Sequence, residues 1–201
     1  MKKFNLAIDY IDYLIITHFH GDHIGGIPSL LLHLKDCGKQ NKPIQLIGPV
    51  GVLNTITNLS NMFFGSRAVD MESIELSIND ISELELDDFS IKSYPMRHKP
   101  ESLGYKMLFG DISIGITGDT GYNENIKLIA DNVDYFIVEC SFKEEISSSH
   151  ITLKEVLEIF AHYNCKNIIL NHLSNDVISE FKKSDVPNHI SLSYDGMKIE
   201  K

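Results

Sequence analysis

Four short apolar runs in this sequence end, within a few residues, on a side chain of the kind that binds metal. Tyr13 to Thr17 runs into His18, Ile91 to Met96 into His98, Ile112 to Thr117 into Asp119, and Asn167 to Leu170 into His172. Runs of this length and composition read as buried strands. Strand ends gather along one edge of a sheet, which is where mixed α/β folds build their sites. Helical patterns lie between the strands. Ile24 to Cys37 reads as a helix stopped by Gly38, Val52 to Phe64 as a second, and the segment near Asn123 to Ala130 as a third. Thr152 and Glu155 form a T-x-x-E capping box that should open a helix from Leu153 to Tyr163, and another helix is expected around Val177 to Lys182. Ile44 to Ile47 and Tyr135 to Glu139 read as further strands. Met71 to Met107 alternates as strands joined by turns, and Ile190 to Ile199 predicts a closing hairpin turning at Asp195-Gly196. The mixture predicts α/β layers.

Composition narrows the class. A chain of 201 residues, 43% hydrophobic and 23% charged, fits a single globular domain over 1–201 and excludes collagen, coiled coil and bulk disorder. The net charge of −10 argues against a broad, sequence-independent grip on nucleic acid, which rests on Lys and Arg against phosphate. The apolar runs are all shorter than a membrane span, and no secretory h-region follows Met1-Lys2-Lys3. Three cysteines outside any C-x-x-C spacing (Cys37, Cys140, Cys165) suit free thiols in a reducing cytoplasm.

The densest chemistry lies in Thr17-His18-Phe19-His20-Gly21-Asp22-His23-Ile24-Gly25-Gly26. Three imidazoles and a carboxylate within six positions suit Zn²⁺, with Mn²⁺ or Fe as substitutes, and no thiol is offered nearby.

This string resembles the H-x-H-x-D-H signature of the metallo-β-lactamase superfamily. The other ligands of that family find counterparts in order: His98 in Tyr94-Pro95-Met96-Arg97-His98, Asp119 in Gly118-Asp119-Thr120-Gly121, and His172 in Asn171-His172-Leu173-Ser174. The resemblance implies an αβ/βα sandwich and two divalent metal ions. One would be held by His18, His20, His98 and Asp119. The other would be held by Asp22, His23, His172 and the shared Asp119. Two ions so placed share a hydroxide nucleophile and stabilise developing oxygen charge, with Asp22 able to accept a proton from the attacking water. Two carboxylates against two divalent ions leave a positive surplus that attracts an anionic substrate.

Within the superfamily the chain looks like the phosphodiesterase branch that includes ribonuclease Z. His98-Lys99-Pro100-Glu101-Ser102-Leu103-Gly104-Tyr105 resembles that branch's H-x-x-x-S-L-G-Y, and Asp119 stands where true β-lactamases carry Cys. His150-Ile151-Thr152 resembles the His-Ser-Thr element whose His protonates the leaving oxygen. Val138-Glu139-Cys140-Ser141 stands where those enzymes carry His-Glu-Ala-Thr, which makes Glu139 the residue expected to orient His150. Two departures matter. Only 21 positions separate His98 from Asp119, leaving no room for the tRNA-gripping arm of the processing enzymes. Only 17 residues precede His18, so part of the N-terminal sheet of the family is expected to be missing, or its surface supplied by a second copy in a homodimer. The expected substrate is therefore a small anion or short phosphodiester rather than tRNA. An ester, thioester or lactone hydrolase of the same fold, and a shortened, catalytically silent metal-binding domain, are the competing readings. His33 and His162 are expected to be structural, Arg97 and Lys99 solvated as readily as phosphate-binding, and Cys140 a small buried residue. Val156, Leu157 and Phe160 are expected in the core.

Overall fold

Parallel pairing of short apolar strands, with helices covering them, accounts for most of the architecture. The computed structural model describes residues 11–36, 43–65, 71–144, 147–160 and 163–199. The chain forms two compact units, Met1–Ser77 and Ile78–Lys201.

The first unit carries a three-stranded sheet of β1 (Tyr13–Ile15), β2 (Ile44–Pro49) and β3 (Met71–Leu76) in the order β1-β2-β3, both pairs parallel. The strand expected over Tyr13 to Thr17 is shorter, and its side chains are half-buried rather than buried. Its described pairing is on one side, with β2. The helix expected from Ile24 to Cys37 is two helices, α1 (Gly21–Ile24) and α2 (Ile27–Asp36). The break has a local cause. Pro28 lacks the N–H a continuous helix would need there, so it fits only in the first turn of a new helix beginning after Gly25-Gly26. Cys37 and the expected stop at Gly38 lie outside the described residues. Ile27, Leu31 and Leu34 of α2 share one face, as do Val52 and Ile56 of α3 (Val52–Phe64), and these stripes pack with Ile16, Ile44 and Leu46 into one core.

The second unit carries seven strands: β4 (Ser82–Glu85), β5 (Ser90–Pro95), β6 (Leu103–Phe109), β7 (Ile112–Ile116), β8 (Tyr135–Glu139), β9 (Asn167–Asn171) and β10 (Ile190–Leu192). Their spatial order is β10-β9-β8-β7-β6-β5-β4. β7, β8, β9 and β10 are mutually parallel, and β6 is antiparallel to both β5 and β7. Hence β5 runs in the same direction as β7, β8 and β9. The helices are α4 (Asn125–Ala130), α5 (Leu153–Phe160) and α6 (Asn175–Phe181). α5 presents Leu153, Val156 and Phe160 to a core that also holds Phe136, Val138, Ile168 and Leu170. Leu157 packs against that core half-buried. The expected capping box is present: the Glu155 N–H donates to Thr152 Oγ1 at 3.2 Å, and Glu155 Oε2 accepts from the Thr152 N–H at 2.8 Å. Gly104 lets α4 approach β6, because a Cβ there would lie 2.7 Å from Ile129 Cδ1.

The closing hairpin is overturned. The turn forms, with Gly196 at φ +83 and the Met197 N–H donating to Tyr194 O, but β10 pairs in parallel with β9 and no return strand follows among the described residues. Burial decides the outcome: pairing with β9 places Ile190 in the core, whereas Ile199 stays half exposed.

Asp134 ties the strand starts together. Its carboxylate accepts from the Ser113 N–H and hydroxyl and pairs with Lys166, and these contacts, Lys166 first, hold its pKa below the usual carboxylate range. A depressed folded pKa contributes stability above the unfolded pKa of about 3.9 that is lost on acidification. Asp134→Asn is therefore expected to lower Tm at neutral pH, with the gap to wild type narrowing as pH falls from about 5 towards about 2. A gap independent of pH, read by thermal melts, would dismiss the ionic contribution.

Candidate metal centre

The common direction of β5, β7, β8 and β9 puts their C-terminal ends on one edge of the second unit. His98 follows β5, Asp119 follows β7, Glu139 ends β8, and His172 follows β9. Three of the four strand ends read from the sequence, those before His98, Asp119 and His172, thus share one edge, whereas β1, which precedes His18, belongs to the other sheet. The ligand atoms of Asp119, His150 and His172 lie within 4.8 Å of one another. His98 Nε2 is 3.8 Å and His172 Nε2 3.6 Å from the same oxygen, Asp119 Oδ2, whose side chain is 4% exposed. These separations are too long for hydrogen bonds and near the spacing of two ligands on one tetrahedral ion, about 3.4 Å.

The far side of each ring decides which nitrogen can ligate. His98 Nδ1 lies 3.0 Å from the carbonyl oxygen of Ser149, which only accepts, so Nδ1 carries the proton and Nε2 the lone pair. His150 Nδ1 is 2.8 Å from Glu139 Oε1, the contact expected from the sequence. The Glu139 carboxylate takes four donors: the Thr120 N–H at 2.6 Å, His150 Nδ1, the Ser141 N–H at 3.2 Å and the Ser141 hydroxyl at 2.6 Å. Burial pushes the Glu139 carboxyl up to about 7, opposed by the Ser141 hydroxyl and the Thr120 N–H.

Local backbone chemistry aims these groups. His172 has φ +55, a left-handed conformation that costs a non-glycine residue about 1–2 kcal/mol and that turns the chain from β9 towards α6. The α6 start is capped by Ser174, whose side chain accepts from the Val177 N–H. Gly121 is pinned by its N–H to Arg97 O at 2.9 Å and lies so close to the 147–149 loop that a Cβ would fall 1.9 Å from Ser148 O. Ser102 closes the loop after His98, its Oγ accepting from the Lys99 N–H at 3.0 Å and its carbonyl from the Met96 N–H at 2.8 Å.

In the first unit, His18 follows β1, His20 stands at the N-cap of α1, and Asp22 and His23 lie within α1. The His18 ring centroid is 4.8 Å from that of His20 and 4.1 Å from that of His23, and Asp22 Oδ2 is 3.6 Å from His23 Nε2. The tight turn through Gly21 thus gathers all three imidazoles and the carboxylate read from the motif. His18 is buried and Asp22 exposed.

Other expectations are also placed. Cys140 is fully buried and its thiol is pushed up to about 12, which removes it as a nucleophile. Cys165 is likewise free and buried. Arg97 and Lys99 are exposed, and His33 is half-buried in α2. His162 lies outside the described residues. No helix among the described residues is long and apolar enough to cross a membrane. Sequence reading passed over Ser141 and the Ser149 carbonyl. Ser141 carried a signal, since it stands two positions beyond Glu139 and strand alternation puts such residues on one face. The Ser149 carbonyl carried none.

A family model described as anti-Pycsar protein Apyc1 matches residues 1–190. The chain belongs to that family. Among curated relatives, ribonuclease Z of Staphylococcus carnosus is 25% identical over 92% of this chain and 79% of its own length. Among solved structures, the short form of human tRNase Z superposes with a TM-score of 0.79 at 20% identity, covering 99% of this chain and 82% of that one. The metallo-β-lactamase fold protein YhfI from Bacillus subtilis gives 0.77 at 18%, covering 96% and 79%. This member of the Apyc1 family therefore has the metallo-β-lactamase fold expected from its motifs and is a metal-dependent hydrolase of the ribonuclease Z-like, phosphodiesterase-like branch. Its imidazole and carboxylate donors, with Nδ1 of His98 engaged on the far side, fit divalent metal.

Proposed function

We propose that the protein is a dinuclear hydrolase of short phosphodiesters. His18, His20, His98 and Asp119 would hold one ion, and Asp22, His23, His172 and Asp119 the other, with zinc the metal best suited to this donor set. Bound ions supply an acidified water and neutralise phosphate charge.

The observation that carries the reading is the His150–Glu139 pair beside Asp119 and His172. Departure of a poor leaving group from phosphorus needs a proton delivered to its oxygen. His150 offers Nε2 for that purpose while Glu139 holds Nδ1 and stabilises the imidazolium. Asp22 accepts the proton released by the attacking water. Protons balance: one leaves the water, and one reaches the departing alkoxide.

The stretch between His98 and Asp119 supports a small substrate. It is taken up by the loop closed by Ser102, then β6, the Gly110-Asp111 turn and β7, with no segment left for a protruding arm. Together with the net charge of −10, this supports a short phosphodiester over tRNA.

His150→Ala is expected to slow a dinucleotide or cyclic nucleotide by about 10² or more while slowing bis(p-nitrophenyl) phosphate little, because nitrophenolate leaves unprotonated. Equal slowing of both would remove His150 as general acid. A substrate panel including acyl esters, thioesters, lactones and precursor tRNA completes the test, and turnover of acyl substrates alone would overturn the phosphodiester reading.

A further inference from the structure

We infer that Ser141 is a positioning residue that links the leaving-group acid to a metal ligand, so that the Glu139 carboxylate sets the working nitrogen of both His150 and His172. The inference rests on the hydrolase reading above and deepens it at the same site.

Proton accounting carries it. The Ser141 hydroxyl has one proton, and it is donated to Glu139 Oε2 at 2.6 Å. At 2.7 Å from His172 Nδ1 the same oxygen can therefore only accept, which makes His172 the Nδ1–H tautomer and leaves its Nε2 with the lone pair, 3.6 Å from Asp119 Oδ2. The other oxygen of Glu139 takes Nδ1 of His150. The two rings stand parallel, with an interplanar angle of 3° and centroids 6.0 Å apart. Ser141 also lies 3.3 Å from His150 Nδ1, so the hydroxyl sits between both imidazoles. The group is enclosed: Glu139 and Ser141 are buried, and the Ser141 N–H adds a further bond to Glu139 that fixes the short loop after β8. Without the hydroxyl, His172 loses the acceptor that selects its tautomer, and Glu139 loses one of its four donors. Metal-bound histidines depend on such acceptors for affinity by about 10- to 100-fold.

The test begins with zinc-loaded wild-type protein. Long-range proton–nitrogen correlation should show His172 protonated at Nδ1, and a proton at Nε2 would overturn the inference with no variant needed. Ser141→Ala should weaken one of two bound zinc ions about 10- to 100-fold in chelator competition, leave the other within about threefold, and steepen the dependence of rate on leaving group. Ser141→Thr, which keeps the hydroxyl, should restore both. Unchanged zinc affinities and leaving-group dependence in the alanine variant would overturn the inference, as would failure of threonine to restore them. Collapse of the hydrolase reading looks different, since wild-type protein would then take up no zinc at all.

Discussion

Asp119→Ala is expected to lose both metals and more than about 10³-fold in activity, the scale at which groups acting as one unit fail together. The reason is geometric. Asp119 Oδ2 faces Nε2 of His98 on one side and Nε2 of His172 on the other, and each ring is already held at Nδ1 by its own partner. Neither imidazole can turn to compensate without breaking that bond. Removing the carboxylate leaves three neutral imidazoles for one ion and Asp22 with two imidazoles for the other, with no shared anion to offset the repulsion between two divalent charges. The fold should persist, because Asp119 lies beyond β7 and outside the apolar core. Metal content per chain by mass spectrometry, with Tm as control, is the check. Two tightly held ions in the variant would end the bridging assignment.

Gly121→Ala is expected to cost about 10² in rate without touching a ligand. The constraint there is space, not backbone freedom. A Cβ would lie 1.9 Å from Ser148 O and 2.7 Å from Ser148 C, both backbone atoms that cannot swing aside. Gly121 cannot retreat, since its N–H is bonded to Arg97 O next to His98. The 147–150 loop must move instead, carrying with it the Ser149 carbonyl that holds His98 and the imidazole of His150. Overpacking of this kind costs about 1–3 kcal/mol, or roughly 2–12 °C in Tm for a chain of this size. Displacement of the acid by about 1 Å costs about 10² in rate. Melting curves and kinetics on a nitrophenyl and a nucleotide phosphodiester would show it, with the larger loss on the nucleotide. Wild-type values for both would mean the loop has room that the structure denies it.

Much of the site was legible because metal ligation and strand ends both leave local marks. His18, His20, Asp22 and His23 fall within six positions, and His98, Asp119 and His172 each follow an apolar run, so side-chain chemistry and short apolar runs were enough to mark them as candidates. The Thr152–Glu155 cap was legible for the same reason, being complete within four residues. Misreadings came where a local pattern met a competing demand. Asp195-Gly196 does turn, but the strand before it found its partner in β9 rather than in the residues that follow. Pro28 divided a helix that apolar spacing alone made continuous.

Residue type and spacing along the chain were enough to mark the candidate donors, the resemblance to the metallo-β-lactamase superfamily and the short stretch between His98 and Asp119. Tertiary structure was needed to decide which nitrogen of His98 and of His172 is left for a metal. His98 takes its orienting acceptor from Ser149, 51 positions away, and His172 takes its own from Ser141, 31 positions away. Tautomer choice depends on a hydrogen-bond partner reached through space: the pairing of β8 with β9 brings Ser141 to His172, and the loop before α5 brings the Ser149 carbonyl to His98.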